Sequence, residues 1–163
     1  MPLLPDELIT LATRVVEENR ALGRKVALAE SCTGGLVSAA LTEVAGSSAV
    51  LERGFVTYSN EAKQEQLGVS PDIIDTFGAV SIACAWAMAQ GAIKHSRADV
   101  AVAISGIAGP DGGTRLKPVG TVVFAKALRG IEDADAEEKQ FEPGSRSDVR
   151  LQAALVALEL LLP

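Results

Sequence analysis

A chain of 163 residues with 48% apolar and 22% charged residues has the composition of a globular protein, which excludes global disorder. Its net charge is −6, and Lys and Arg are spread along the chain with no basic block, which argues against a nucleic-acid partner. No apolar run approaches the roughly 20 residues of a membrane span, the start MPLLPDEL lacks the parts of a signal peptide, and Cys32 and Cys84 have no CxxC spacing. The expectation is one domain over residues 1–163, cytoplasmic, with reduced thiols.

In chain order, Pro5 to Leu22 reads as an amphipathic helix: Leu8, Leu11, Ala12, Val15 and Val16 recur at helical spacing, Asp6 and Glu7 suit its start, and Gly23 stops it. KVALAE, Lys25 to Glu30, is a short apolar strand. Thr33 to Val44 is a helix with a small-residue face, and Gly54 to Tyr58 a second strand. Helices follow at Asn60 to Leu67, from Ser70-Pro71-Asp72, and at Ser81 to His95. Asp99 to Ser105 is a continuously apolar strand of the kind buried on both faces. After a Gly- and Pro-rich loop comes a fourth strand, Thr121 to Leu128. Glu132 to Lys139 reads as an acidic solvated loop, Lys139 to Glu142 as a fifth strand, and Ser147 to Leu162 as a closing helix with Val149, Ala153, Val156 and Leu160 inward.

Strands alternating with helices predict an α/β fold, a three-layer α/β/α sandwich around a mixed, largely parallel sheet. Aromatics are only 4% of the chain, so small aliphatic residues fill its core. Ligands of such folds sit at the carboxyl ends of strands. The loops there are AESCTGG, after the first strand, and SGIAGPDGGT, after the third; they are the two most unusual segments of the chain.

Ser31, Cys32 and Thr33 place three potential nucleophiles side by side. At a strand-to-helix turn, Ser31 has two readings. It is a helix cap, or it is a nucleophile beside amides and a helix end able to stabilise an oxyanion. A hydroxyl nucleophile needs a base. The single histidine, His95, closes a helix at the end of the sheet opposite the ligand edge. Metal-ligand spacing is absent as well. Lys63, in the first turns of a helix, is the remaining base, with Tyr58 to relay a proton or orient the amine; the plainer reading of Lys63 is a solvated surface lysine. Cys32 is a rival nucleophile or a packing residue. The glycine loop is neither a Walker loop nor a dinucleotide fingerprint, but its backbone can approach a ligand closely. Arg115, Lys117, Arg146 and Arg150 are candidate cations for an anionic substrate.

Taken together, AESCTGGLVSAALTEVAGSS, GFVTYSNEAKQEQLGV, SGIAGPDGGTRLKPVGTV and FEPGSRSDVRLQAAL closely resemble the CinA C-terminal domain family, also called the nicotinamide-nucleotide amidase family, from about Pro5 to Leu162. The resemblance implies the stand-alone form of the domain. It implies hydrolysis of the carboxamide of nicotinamide mononucleotide to nicotinate mononucleotide and ammonia, with no metal or organic cofactor. By the same resemblance Ser31 is the nucleophile, Lys63 the base and Tyr58 its assistant. Thr33, Gly34, Ser105, Gly106, Gly109 and Arg146 contact the substrate, Ser105 standing where many members carry Thr. The alternative is a non-catalytic nucleotide-binding or interaction module related to competence and DNA-damage proteins. The expected partner is a small nucleotide, with no nucleic acid and no membrane, and the Ala-rich helix from Ser81 could serve a homo-oligomer.

Overall fold

The computed structural model describes every residue except Pro143. The helices are α1 (Asp6–Leu22), α2 (Leu36–Thr42), α3 (Asn60–Leu67), α4 (Pro71–Phe77), α5 (Ile82–Lys94) and α6 (Arg146–Leu161). The strands are β1 (Val26–Glu30), β2 (Leu51–Val56), β3 (Val100–Gly106), β4 (Thr121–Leu128) and β5 (Asp135–Gln140), in the order β2-β1-β3-β4-β5. β2, β1 and β3 run parallel, while β4 and β5 add antiparallel pairings. This is the expected mixed sheet between two helical layers.

Local chemistry sets most boundaries. Gly23 and Gly68, both left-handed, end α1 and α3. Ser59, Ser70 and Ser81 accept the cap bonds of α3, α4 and α5, and Ser145 with Asp148 forms a capping box on α6. Among the described residues, no helix is long and apolar enough to cross a membrane.

Side chains alternate across the sheet by size. Val26 and Leu28 of β1, Val100, Val102 and Ile104 of β3, and Val122 and Phe124 of β4 meet α1, α2 and α6 on one face. Ala27 and Ala29, Ala101 and Ala103, and Ala125 and Ala127 occupy the other face, against α3, α4 and α5. Each large aliphatic side chain buried on the first face contributes about 1.5–3 kcal/mol. The second face relies on close approach instead, since small residues gain mainly through tight dispersion contacts.

Four expectations are corrected. The second helix begins at Leu36, not Thr33, because Gly34 and Gly35 take positive φ values of 57° and 101° and turn the chain before it can wind. β2 starts at Leu51 and includes Gly54, where a β-carbon would lie 2.6 Å from Ser38 Oγ. The acidic segment taken for a loop is β5 itself, Asp135–Gln140, paired to β4 with Ala136 opposite Ala125. It is an edge strand held by backbone bonds, and its exposed charges, usual on sheet edges, hide it from hydrophobic patterning. On α6, Val149 and Ala153 are buried as expected, but Ala154, Ala157, Leu158 and Leu161 are the buried positions beyond them, while Val156 and Leu160 are only partly covered.

Candidate active site

β1 lies between β2 and β3, so the chain leaves it toward one side and returns on the other. Crevices in open α/β sheets form at such a reversal, beyond the carboxyl ends of the strands. A cleft of about 300 Å³ occupies that place. Ser31, Tyr58, Lys63, Ser105, Gly106 and Arg146 line it.

Ser31 follows the last residue of β1, and its N–H donates to the Ile104 carbonyl of β3 at 2.9 Å, which fixes the residue to the sheet edge. Its hydroxyl caps no helix. Lys63 Nζ lies 2.9 Å from Ser31 Oγ. The same nitrogen donates to the Thr57 carbonyl at 2.9 Å and the Tyr58 carbonyl at 3.0 Å, both just past the end of β2. Lys63 is only 1% exposed, so the surface reading is overturned. The reason is tertiary: α3 lies so close to α5 that a β-carbon on Gly91 would overlap the Leu67 carbonyl oxygen, which turns Lys63 inward. Burial lowers the Lys63 pKa below the ordinary lysine range, with the nearby Cys84 and Cys32 acting in the opposite sense. No carboxylate pairs with the amine among the described residues.

Tyr58 enters the site in an unforeseen way. Its carbonyl accepts from Lys63, while its phenol, 62% exposed with the rest of the side chain, accepts from Arg146 Nη2 at 3.0 Å. Arg146 Nη1 donates to the Gly109 carbonyl at 2.6 Å, so the first residue of α6 ties the glycine loop to the Tyr58 side of the cleft. Ser105 is buried, and its hydroxyl donates to the Ala79 carbonyl at 2.8 Å. Lys117 donates to the adjacent Val80 carbonyl, so this candidate cation is engaged with backbone. Arg115 is exposed and does not line the cleft.

Three expected contacts lie outside the lining. Thr33 is fully buried, and it neither caps α2 nor faces the cleft. Gly34 turns beneath Arg150, and Gly109 meets the site through its carbonyl to Arg146. Thr33 Oγ1 and Thr57 Oγ1, one after β1 and one after β2, are buried with no hydrogen-bond partner among the described residues. Burial pushes the Cys32 thiol up to about 11, which keeps it protonated near neutrality and removes it as a nucleophile. His95 ends α5 and lines a separate depression with Trp86 and Lys94.

Two residues at the site escaped the sequence reading. Glu30, fully buried, accepts from the Val37 and Ser38 amides at 3.0 Å each and from Ser38 Oγ at 2.8 Å. It therefore occupies the positive end of α2, which is not free to hold an oxyanion. The signal was present: an acid closing an apolar strand before a helix. Asn60, at the start of α3, lines the cleft; an exposed polar residue there gave no signal.

The CinA C-terminal domain model matches residues 8–163. The chain is 51% identical over 155 residues to an Escherichia coli (strain K12) protein named nicotinamide-nucleotide amidohydrolase PncC, covering 95% of this chain and 93% of that one. It is 54% identical over 139 residues to a CinA-like protein of Mycolicibacterium vanbaalenii, which covers 85% of this chain and 32% of that longer protein. The crystal structure of the competence/damage inducible protein CihA from Agrobacterium tumefaciens superposes with a TM-score of 0.95 at 48% identity, over 99% of this chain and 97% of that one. With the fold, the sequence model and these relatives in agreement over almost the full length, the chain belongs to the CinA C-terminal domain family.

Proposed function

We propose that this protein is a nicotinamide-nucleotide amidohydrolase that converts nicotinamide mononucleotide and water to nicotinate mononucleotide and ammonia, with Ser31 as nucleophile and Lys63 as base. The observation that carries this reading is the 2.9 Å contact between a buried lysine amine and a serine hydroxyl at the mouth of a cleft. The half-identical relative named as such an amidohydrolase supports the substrate.

The arrangement suits a neutral amine. Two N–H groups satisfy the Thr57 and Tyr58 carbonyls, and the remaining lone pair faces Ser31 Oγ. Desolvation favours that state. Ser31 Oγ attacks the carboxamide carbon while its proton passes to Lys63. The tetrahedral oxyanion collapses as the Lys63 ammonium protonates the leaving nitrogen, so ammonia departs and an ester remains on Ser31. Water, losing its proton to Lys63, attacks the ester. The carboxylic acid leaves as Ser31 recovers its proton from Lys63, and ionises to the carboxylate as its own proton passes to the released ammonia or to solvent. Arg146, at the cleft and free of any carboxylate partner among the described residues, is the cation placed to meet the substrate phosphate. The phenol of Tyr58 orients that guanidinium, and its carbonyl orients Lys63. Ser105 and Gly106 form the opposite wall.

A non-catalytic binding module has no use for a lysine desolvated against a serine, since burying that charge without function costs stability. The test is ammonia release from nicotinamide mononucleotide by the purified protein, with Ser31→Ala beside it. Release that vanishes in a folded Ser31→Ala variant supports the serine mechanism. Near-normal turnover by that variant overturns it.

A further inference from the structure

The mechanism needs a donor for the oxyanion, and most amides on the Ser31 side are engaged. The Ser31 N–H donates to the Ile104 carbonyl at 2.9 Å, and the Gly34 N–H to the Ser31 carbonyl at 3.0 Å. Glu30 accepts from the Val37 and Ser38 amides, and Thr33 is not part of the cleft lining. Gly106, the last residue of β3, does line the cleft.

Strand pairing fixes where the Gly106 N–H points. Along a strand, successive residues direct their N–H and C=O groups to opposite neighbours. The Ile107 N–H donates to the Thr121 carbonyl of β4 at 2.9 Å, whereas the Ile104 carbonyl, on the other side, receives the Ser31 N–H. Gly106 is adjacent to the first residue and two positions from the second, so both bonds place its N–H on the β1 side. In the parallel ladder, where Glu30 stands opposite Ile104, its next acceptor is the Ser31 carbonyl. The chain leaves the ladder at that point. The Ser31 carbonyl turns to the Gly34 N–H, and Arg150 Nε and Nη2 donate to the Cys32 and Thr33 carbonyls at 3.1 and 3.0 Å, which holds the turn. One rung stays open: among the described residues, no acceptor outside the strands meets the Gly106 N–H. Neighbouring strands lie about 4.8 Å apart, so this N–H is directed at the Ser31 turn from one strand spacing away, and both residues line the cleft.

The donor is held in place by its surroundings. β4 lies so close that a β-carbon on Gly106 would stand 2.7 Å from Val122 Cγ2 and 3.0 Å from the Thr121 carbonyl oxygen. Ser105, whose carbonyl shares a peptide with this N–H, is anchored through its hydroxyl to the Ala79 carbonyl at 2.8 Å. The Cys32 N–H is also at the cleft, but it lies in the turn, where no strand partner sets its direction.

We propose that the Gly106 N–H, the open rung of the β1–β3 ladder, is an oxyanion donor for the group attacked by Ser31. A donor built into the sheet is aligned before the substrate arrives, so it stabilises the developing negative charge without reorganisation. Lys63, from the β2 side, takes the proton of Ser31, and Gly106, from the β3 side, stabilises the charge on the oxygen. This inference rests on the serine mechanism proposed above, and its test separates the two.

Because a side chain at Gly106 collides with β4, the first measurement uses the wild-type sequence. Isotope-labelled protein is reacted with a fluorophosphonate, which bonds Ser31 Oγ to phosphorus, releases fluoride and places a phosphonyl oxygen where the oxyanion forms. Peptide mass spectrometry locates the label, and nuclear magnetic resonance reads each backbone amide. The Gly106 amide proton is expected to move downfield, and its nitrogen to show scalar coupling to phosphorus through the hydrogen bond. A second measurement replaces that N–H by an ester oxygen, in protein assembled by ligation at Cys84. This change is expected to lower kcat for ammonia release by about 10²–10³-fold, the loss usual for one oxyanion donor, with KM within about twofold. A labelled Ser31 with the Gly106 resonance unmoved and uncoupled, whichever other amide responds, overturns the proposal while the serine mechanism stands. So does an ester variant, folded by circular dichroism, with unchanged kcat. If wild type labels at Ser31 but releases no ammonia from nicotinamide mononucleotide, the substrate assignment fails and the resonance alone decides Gly106. Failure of wild type both to label and to release ammonia overturns both readings.

Discussion

The two faces of the sheet solve the same packing problem in opposite ways, and the site depends on both. Toward α1, α2 and α6 the strands present Val, Leu, Ile and Phe, and the layer is held by large buried surfaces. Toward α3, α4 and α5 they present almost only alanine, and helix and sheet approach closely. The large-residue face anchors the helix that carries Arg146 and Arg150, both of which grip backbone carbonyls. The alanine face brings α5, and α3 against it, near enough for Lys63 to reach the strand ends while buried. Ser31 sits at the end of β1, between the two. One face therefore supplies rigidity to the turn and the other supplies the proposed base.

This contrast can be broken at the base first. Lys63→Met is expected to cost about 10²–10⁴-fold in kcat, the usual worth of general acid–base catalysis. In wild type, kcat/KM is expected to rise with pH as Lys63 loses its proton, at a lower pH than a free lysine would. The linkage has a definite sign. Between the lowered folded value and the ordinary unfolded value, the unfolded chain binds more protons, so stability rises with pH across that window. Lys63→Met should flatten that rise when urea midpoints are compared over pH. An unchanged pH–rate profile in the variant would remove Lys63 from the chemistry.

Packing substitutions sharpen the comparison further. Leu28→Ala on the large-residue face is expected to cost about 2–5 kcal/mol of stability through the cavity it leaves, with kcat near that of wild type. Gly91→Ala on the alanine face adds one methyl group in direct overlap with the Leu67 carbonyl. Backbone must move to relieve that overlap, so the expected cost reaches the upper end of overpacking, about 3 kcal/mol or more, and kcat should fall because α3 and its Lys63 must shift. Thermal melts and turnover of both variants decide the matter; a Gly91→Ala protein with normal kcat would uncouple the close packing from the base. The smallest effect concerns the thiols. With Cys32 held near 11 and buried, alkylation at neutral pH should be slow in the folded protein and fast in denaturant. Rapid modification of native Cys32 with loss of activity would restore it as a rival nucleophile.

Much of the fold was legible because it is written in local rules. Helix caps, left-handed glycines and apolar runs mark the elements from α1 to β4 to within a few residues. The exceptions have specific causes. β5 is polar because an edge strand needs only its backbone partners, and α2 starts late because two glycines turn the chain first. At the site, the strand-end position of Ser31 and the residue types of Lys63, Tyr58 and Arg146 were visible, and the family motifs singled them out. The roles of Glu30 and Arg150 were not. An acid after an apolar strand and a second arginine on a helix have many uses, and only their partners across the fold tell which one applies.

The sequence by itself determined the alternation of strands and helices, the two loops at the ligand edge and the supply of a hydroxyl and an amine for the site, because periodicity, capping and residue chemistry act over a few neighbouring positions. The tertiary structure decided which polar groups lose water and which atoms they then meet. Burial placed the Lys63 amine against Ser31 rather than at the surface, and gave Glu30 to α2 and Arg150 to the Ser31 turn. Desolvation and hydrogen-bond geometry depend on segments distant in the chain, and no local pattern encodes them.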